Sequence, residues 1–229
     1  MYEKAIQKVK GSIFPIFSSG PQSMQVLGTG FFIDEEGHFL TAAHVIQANP
    51  RGHKLGHLGN IPFVKFKNKQ PAEIEIVYQD TSLDLALGKV DKDILPALEF
   101  AKESPNIGAS IGLCGYPFPN IQKNVNGVTG LFDVSAVRQY WQPTILMDYV
   151  NPGMLFNKKF KSFLTQHSSL PGMSGGPVFN MDGAIVGVDL ANYTRKVPRT
   201  KDIVTQVENG IGISLDEIRS FVVDAKRIA

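Results

Sequence analysis

The strongest constraint on this chain is its rhythm. Short apolar runs, rich in aromatic and β-branched side chains, recur along nearly the whole length and are cut by turn residues. They lie at Ser12–Phe17, Val26–Ile33, His38–Thr41, Phe63–Phe66, Ile74–Tyr78 and Leu85–Val90. After a gap they resume at Ala109–Gly115, Val125–Val137, Thr144–Tyr149, Ser162–Gln166, Pro177–Phe179, Ala184–Leu190 and Gly210–Ser214. Side chains that fill a pleated, half-buried surface at such spacing predict strands. EEGH (35–38) and NMDG (180–183) read as hairpin turns, and 22 glycines with 14 prolines supply the bends that an all-β chain needs.

Helices are expected only at the ends. YEKAIQKVK (2–10) puts Ala5, Ile6 and Val9 at helical spacing. SLDEIRSFVVDAKRIA (214–229) offers Ser214 as a cap, Glu217 three residues on, and Ile218, Phe221 and Val222 on one face. The stretch 91–106 is polar and carries two prolines, so it reads as a connection between two strand blocks. The expected architecture is all-β, with two six-stranded antiparallel barrels and short terminal helices. The expected division is a first barrel over 1–95, a linker over 96–107 and a second barrel with the closing helix over 108–229.

Composition narrows the function classes. With 43% hydrophobic and 19% charged residues, the chain is globular and not disordered. A net charge of +2 argues against nucleic acid as a partner. Cys114 is the single cysteine, so no disulfide can form within the chain. No apolar stretch is long enough for a membrane span, and the lysine-bearing N-terminus leads into no export-type apolar core. The expectation is a soluble, cytoplasmic chain away from membranes. Nothing in the sequence sets the oligomeric state.

Three segments carry chemistry. A serine hydroxyl becomes a nucleophile when an imidazole takes its proton and a third group fixes the imidazole's tautomer. PGMSGGPVF (171–179) bends sharply at Ser174, and such a turn can aim the N–H groups of Gly172 and Ser174 at a developing oxyanion. Gly175 and Gly176 are read as room for a substrate. His44 follows directly on the strand in GTGFFIDEEGHFLTAAHVIQ (28–47). Asp84 interrupts the apolar run of DTSLDLALGKV (80–90), where a carboxylate needs a partner. Each segment alone also fits a plain reading: a glycine-rich turn, a histidine at a helix start, an aspartate facing water.

Together, TAAH, DLAL and GMSGGP, in the order His, Asp, Ser and separated by 40 and 90 residues, resemble the trypsin-like peptidases, and most closely the HtrA (Deg) branch. GTGFFID (28–34), GYPFP (115–119) and NGIGISL (209–215) extend the likeness over about residues 3–222. The resemblance implies a serine endopeptidase acting on polypeptides without metal or organic cofactor. His44 would be the base, Asp84 its orienting group and Ser174 the nucleophile. Gly172 and Ser174 would form the oxyanion hole, and Leu190, Ala191 and Asn192 would pair with an extended substrate. A non-catalytic or partner-activated protein that binds extended peptides is the alternative.

Departures from the family pattern have consequences. Met173 stands where many relatives carry the aspartate used in zymogen activation, so that activation is not expected. No C-terminal peptide-binding domain is expected to regulate the chain. Ser168, at the substrate-pocket position, replaces trypsin's aspartate, so cleavage after Lys or Arg is not implied. Asp189 either reaches that pocket or ends a strand. GMSGG also fits G-x-S-x-G, but the α/β-hydrolase order needs a histidine after the serine, and His167 is the last one. A subtilisin order using Asp34 fails for want of alternating strands and helices. His53 and His57, four apart among glycines, read as a loop and not as a zinc site.

Overall fold

The computed structural model describes residues 2–19, 24–49, 54–57, 72–90, 96–117, 137–151, 160–198 and 204–228. The runs Phe63–Phe66 and 125–136, and His53, lie outside these residues. The first half contains α1 (Glu3–Val9), β1 (Ile13–Ser19), β2 (Met24–Phe32), β3 (His38–Ala42), α2 (Ala43–Gln47), β4 (Lys54–His57), β5 (Ala72–Glu73), β6 (Glu75–Asp80) and β7 (Leu85–Lys89). Its strands run in the order β5-β4-β1-β2-β3-β7-β6, every pair antiparallel. β5 and β6 stand at opposite ends of that order yet are separated in the chain by Ile74 alone. One bent strand therefore serves both edges, and six chain segments curl round a common interior.

The second half contains β8 (Ser110–Gly115), β9 (Tyr140–Val150), β10 (Ser162–Thr165), β11 (Pro177–Phe179), β12 (Ile185–Pro198), β13 (Val204–Ser214) and α3 (Leu215–Ile228). Its six strands close into a barrel in the order β10-β13-β12-β11-β8-β9. The expected all-β, chymotrypsin-like architecture with terminal helices is what the chain adopts. The β12–β13 ribbon runs beyond the apolar runs seen in the sequence, pairing out to Pro198↔Val204. Its outer part, including Thr194, Arg195, Lys196, Gln206 and Glu208, is exposed, so no alternation of apolar residues marked it.

The two halves share one core. Phe14, Phe31 and Phe39 from the first pack in the same buried cluster as Phe179, Val188 and Ile213 from the second. The connecting stretch is bonded to both: Leu98 N–H donates to Phe32 O at 2.9 Å and Ala101 N–H to Ile185 O at 2.8 Å. The terminal helices cross over as well. Tyr2 of the N-terminal segment donates to Ile111 O at 2.7 Å, while Phe221 of α3 packs on Tyr78 with ring centroids 5.5 Å apart. Lys226 Nζ reaches Asp34 Oδ2 at 2.6 Å.

The start of α3 differs from the capping box expected at Ser214 and Glu217. Ser214 is the last residue of β13, and its buried hydroxyl has no partner among the described residues. Glu217 Oε1 accepts the Lys161 N–H at 2.8 Å. Strand pairing has claimed Ser214, so the glutamate anchors the neighbouring strand's lead-in instead.

In the closed barrel, the Phe163 ring lies across two glycines of adjacent strands. A Cβ added at Gly212 would sit 2.2 Å from Phe163 Cζ, and one at Gly187 would sit 2.4 Å from Cε1. Gly212→Ala should therefore lower stability by roughly 1–3 kcal/mol, the cost of overpacking a filled core. A shift in the denaturant midpoint at unchanged slope is the measurement.

Candidate active site

His44 enters the site on a helix start that a distant loop completes. β3 ends at Ala42, and the two N–H groups that open α2 go to one residue: Ala43 N–H donates to Asp84 O at 3.0 Å and His44 N–H to Asp84 Oδ1 at 3.0 Å. The same carboxylate faces the ring, with His44 Nδ1 3.1 Å from each oxygen. Asp84 can do this because its backbone is left-handed, φ 61°, a conformation few residues other than glycine adopt without local hydrogen bonds. Asp80 builds the turn that leads there. Its Oδ1 accepts the N–H groups of Ser82 at 2.8 Å and Leu83 at 3.1 Å. With an ionised carboxylate at Nδ1, that nitrogen keeps the proton and Nε2 offers its lone pair. The His44 side chain is 44% exposed and Asp84's 15%, so the base meets solvent while its orienting group is sheltered.

Ser174 sits in a turn held from both halves of the molecule. Thr29 on β2 uses every polar atom there. Its N–H donates to Ser174 O at 2.9 Å and its hydroxyl to Gly172 O at 2.8 Å. That hydroxyl accepts the Tyr116 N–H at 3.0 Å, and Thr29 O accepts the Thr41 hydroxyl at 2.8 Å. Gly172 has φ +98°, and a Cβ there would stand 2.4 Å from Tyr116 O, so the turn admits no side chain. Gly175 and Gly176 were expected to make room for a substrate; the structure gives them another job. A Cβ on Gly175 would meet Thr41 Oγ1 at 2.2 Å and Ala42 N at 2.8 Å, and one on Gly176 would meet Cys114 O at 2.2 Å. Bare backbone at Gly175 lets the serine turn press against the strand end that carries His44, and at Gly176 it lets the turn lie against β8.

The structure thus joins His44 to Asp84 directly and lays the serine turn beside them. The Ser174 hydroxyl donates to Leu190 O at 3.0 Å. Met173 is fully buried and packs in the second barrel's core with Leu113 and Val178, which explains why no charge is wanted there. Beyond the serine turn, β11 pairs with β12 as far as Val188, and Gly175 N–H donates to Asp189 O at 2.7 Å. Past that point the edge of β12 at Ala191 and Asn192 is exposed and has no strand neighbour on that side among the described residues. Ser168 is partly buried, its carbonyl accepting Gln142 Nε2 at 3.0 Å.

Thr29 and Ser169 were missed in the sequence, where a threonine within GTGFF and a serine in HSSL look like ordinary strand and loop residues. Asp189 is neither solvated nor at a strand end: it is 1% exposed within β12. Burial pushes its carboxyl up to about 7, against the opposing pull of the Ser169 hydroxyl that bonds Oδ2 and of the nearby His44 charge. Burial also raises the Cys114 thiol well above its ordinary value, and the Asp189 charge adds to this, so Cys114 is an inert core group. His167 is occupied structurally, with Nδ1 3.1 Å from Pro143 O. His57 ends strand β4, which removes the helix that a zinc pair with His53 would need. Asp34, Glu36 and His38 cluster at the β2–β3 turn, where Asp34 already binds His38 and Lys226.

Two antiparallel sheets meeting at a serine turn and a histidine–aspartate pair define the class of chymotrypsin-like folds. The family profile of the trypsin-like peptidase domain matches residues 28–188, and the chain belongs to that family. It is 28% identical over 170 residues to a probable periplasmic serine endoprotease, DegP-like, of Halomonas elongata, covering 74% of this chain and 30% of that protein. A protein of the same description from Hahella chejuensis is 28% identical over 183 residues, covering 79% of this chain and 33% of that one. The chain therefore spans less than two thirds of these relatives' length. Among solved structures, the serine endoprotease from Yersinia pestis superposes with a TM-score of 0.66 at 19% identity, covering 99% of this chain and 67% of that one. An active-form protease from M. tuberculosis does so at 0.65 and 20%, covering 94% of this chain and 81% of that one. The relatives' names overturn the expected cytoplasmic location, since both are called periplasmic. That expectation leaned on the hydropathy of the first residues and on a lone thiol. An oxidising compartment acts on pairs of thiols, and one buried cysteine tells nothing of it.

Two outcomes follow from this geometry. Thr29→Val keeps the side chain's shape but leaves Tyr116 N–H and Gly172 O without their hydroxyl partner. Each buried group left bare costs roughly 1–3 kcal/mol, to be read from chemical denaturation. Asp189 in the folded chain holds its proton to about pH 7, whereas an unfolded aspartate releases it near 4. The folded state binds more protons across that window, so this group's contribution to stability falls as pH rises from about 4 to about 7. Asp189→Asn should flatten that slope in denaturation series taken across the same range.

Proposed function

We propose that this chain is a serine endopeptidase that hydrolyses polypeptides through an acyl-enzyme on Ser174. The observation that carries the reading is the His44 Nδ1 contact of 3.1 Å to both Asp84 oxygens, because it leaves Nε2 as a base beside the serine turn. In this reading His44 takes the Ser174 proton as the hydroxyl attacks the scissile carbonyl. It then returns the proton to the leaving amine. Asp84 orients the ring and stabilises the imidazolium without itself taking up the proton. The N–H groups of Gly172 and Ser174 receive the oxyanion; the tight turn at Gly172 supports that role. An extended substrate adds to the open edge of β12 at Leu190–Asn192, so that main-chain bonds hold it whatever its side chains. Residues 1–95 and 108–229 would be the two halves around the cleft, with 96–107 as the join.

The Ser174 hydroxyl bonded to Leu190 O favours a resting form in which the nucleophile is parked. A rotation about its Cα–Cβ bond turns it toward His44, and a peptide competing for the Leu190 carbonyl would promote that rotation. Partner- or substrate-stimulated activity is accordingly the version of this reading that the free chain supports.

The experiment is active-site labelling with a fluorophosphonate, read by mass spectrometry. Ser174 should be modified, faster with peptide present, and Ser174→Ala should not react. Equal modification of both proteins, or of neither with or without peptide, would sink the reading. Asp84→Asn should keep the fold but favour the wrong imidazole tautomer, lowering turnover of a peptide substrate by about 10⁴.

A further inference from the structure

Asp189 is a buried acid that the chemistry above does not use. Its backbone braces the serine turn: Gly175 N–H donates to Asp189 O at 2.7 Å, and Asp189 N–H donates to Gly176 O at 2.9 Å. Its side chain turns to the segment preceding the nucleophile, where Ser169 Oγ donates to Oδ2. Three residues further along β12, Asn192 grips the same Ser169 through its main chain. Asn192 Oδ1 accepts the Ser169 N–H at 2.6 Å, and Nδ2 donates to Ser169 O at 2.7 Å. Residues 189–192 and 168–170 are thus two walls joined at Ser169, which bonds Asp189 and Asn192 at the two ends of the first, beside the carbonyl that holds the Ser174 hydroxyl.

Above about pH 7, where the Asp189 carboxyl is ionised, acceptors outnumber donors beside this segment. Asp189 Oδ1 is buried and has no hydrogen-bond partner among the described residues. Gln142, whose Nε2 donates to Ser168 O, likewise leaves a buried Oε1 without a donor. A buried acceptor left bare is costly, and two flanking one short segment mark a place where donors are missing. The protein's own Ser169 hydroxyl and Asn192 amide are already spent.

We propose that Asp189 is the specificity-determining group for the residue on the acyl side of the scissile bond, and that it selects side chains bearing N–H donors. This rests on the peptidase reading for its place in the reaction. The substrate side chain enters between the walls, parts the Asn192–Ser169 clamp and donates to Asp189 Oδ1. An amine or guanidinium adds charge to the hydrogen bond, whereas an amide supplies the hydrogen bond alone. An apolar side chain of the same length fills the space and leaves the acceptors bare, the situation in which a polar site discriminates most strongly.

The test measures binding without turnover. Calorimetry on the Ser174→Ala protein compares product-like peptides that differ only in their last residue: lysine against norleucine, and glutamine against methionine. The donor-bearing peptide should bind roughly tenfold tighter on at least one arm, as a site built around an unpaired acceptor requires. That advantage should vanish when Asp189→Asn or Asp189→Ala is added. The asparagine variant nearly preserves shape, so its fold can be checked by the same denaturation series. Parity on both arms, or an advantage that survives loss of the carboxylate, overturns the assignment. Fluorophosphonate labelling of the parent chain is run alongside. If labelling fails while the Asp189-dependent preference holds, the reading of Ser174 falls and the binding pocket stands.

Discussion

Everything at the cleft depends on Thr29. It sits at the middle of a first-barrel strand, fully buried, and spends its N–H, its carbonyl and both faces of its hydroxyl on other segments. Three of those four bonds cross to the second barrel, two of them to the serine turn. The nucleophile's position is thereby tied to the strand pair that leads to His44. Small residues around it make the tie possible: Gly28 approaches Ser174 O, and Gly175 approaches Thr41 and Ala42, at distances where a methyl group would collide. The serine turn is therefore aligned with the strand that leads to His44 by close backbone contact and by the Thr29 hydrogen bonds between barrels.

Asp84 plays the matching part within the first barrel. One residue takes two helix-opening N–H groups and the imidazole proton, and it does so from a left-handed turn shaped by Asp80. The cost of holding a carboxylate away from water is offset because each oxygen is satisfied. Asp189 is the contrast. It is buried more deeply, one oxygen has a partner and the other has none among the described residues, and burial moves its carboxyl toward neutral pH. Of the two aspartates, Asp84 bonds the His44 ring directly, whereas Asp189 interacts with it only through charge. One is suited to steady a positive imidazolium, the other to wait for a donor from outside.

Much of the architecture was legible because strands that bury one face must alternate or cluster apolar residues, and turns must use glycine, proline or aspartate. The β2–β3 and β11–β12 hairpins, α1 and the apolar face of α3 follow from that requirement. What stayed illegible was polar. The outer β12–β13 ribbon has water on both sides and thus no pattern. Ser214 looked like a cap because its spacing to Glu217 is right, yet a neighbouring strand had a stronger claim on both.

His44, Asp84 and Ser174 could be singled out only as a set, because each segment alone fits a plain reading while TAAH, DLAL and GMSGGP together resemble the trypsin-like peptidases. Their order also excludes competing folds. Thr29 and Ser169 could not, since their importance lies wholly in partners up to 143 positions away, and for Asp189 the sequence left the pocket and the strand end as alternatives. The sequence by itself determined the fold class and the residue types available for chemistry, for hydrophobic spacing and turn chemistry are local properties. Only the tertiary structure decided which atoms hold the serine turn, where its hydroxyl rests and which buried oxygen goes unpaired. Those facts arise when two barrels close on each other and water is expelled from between them.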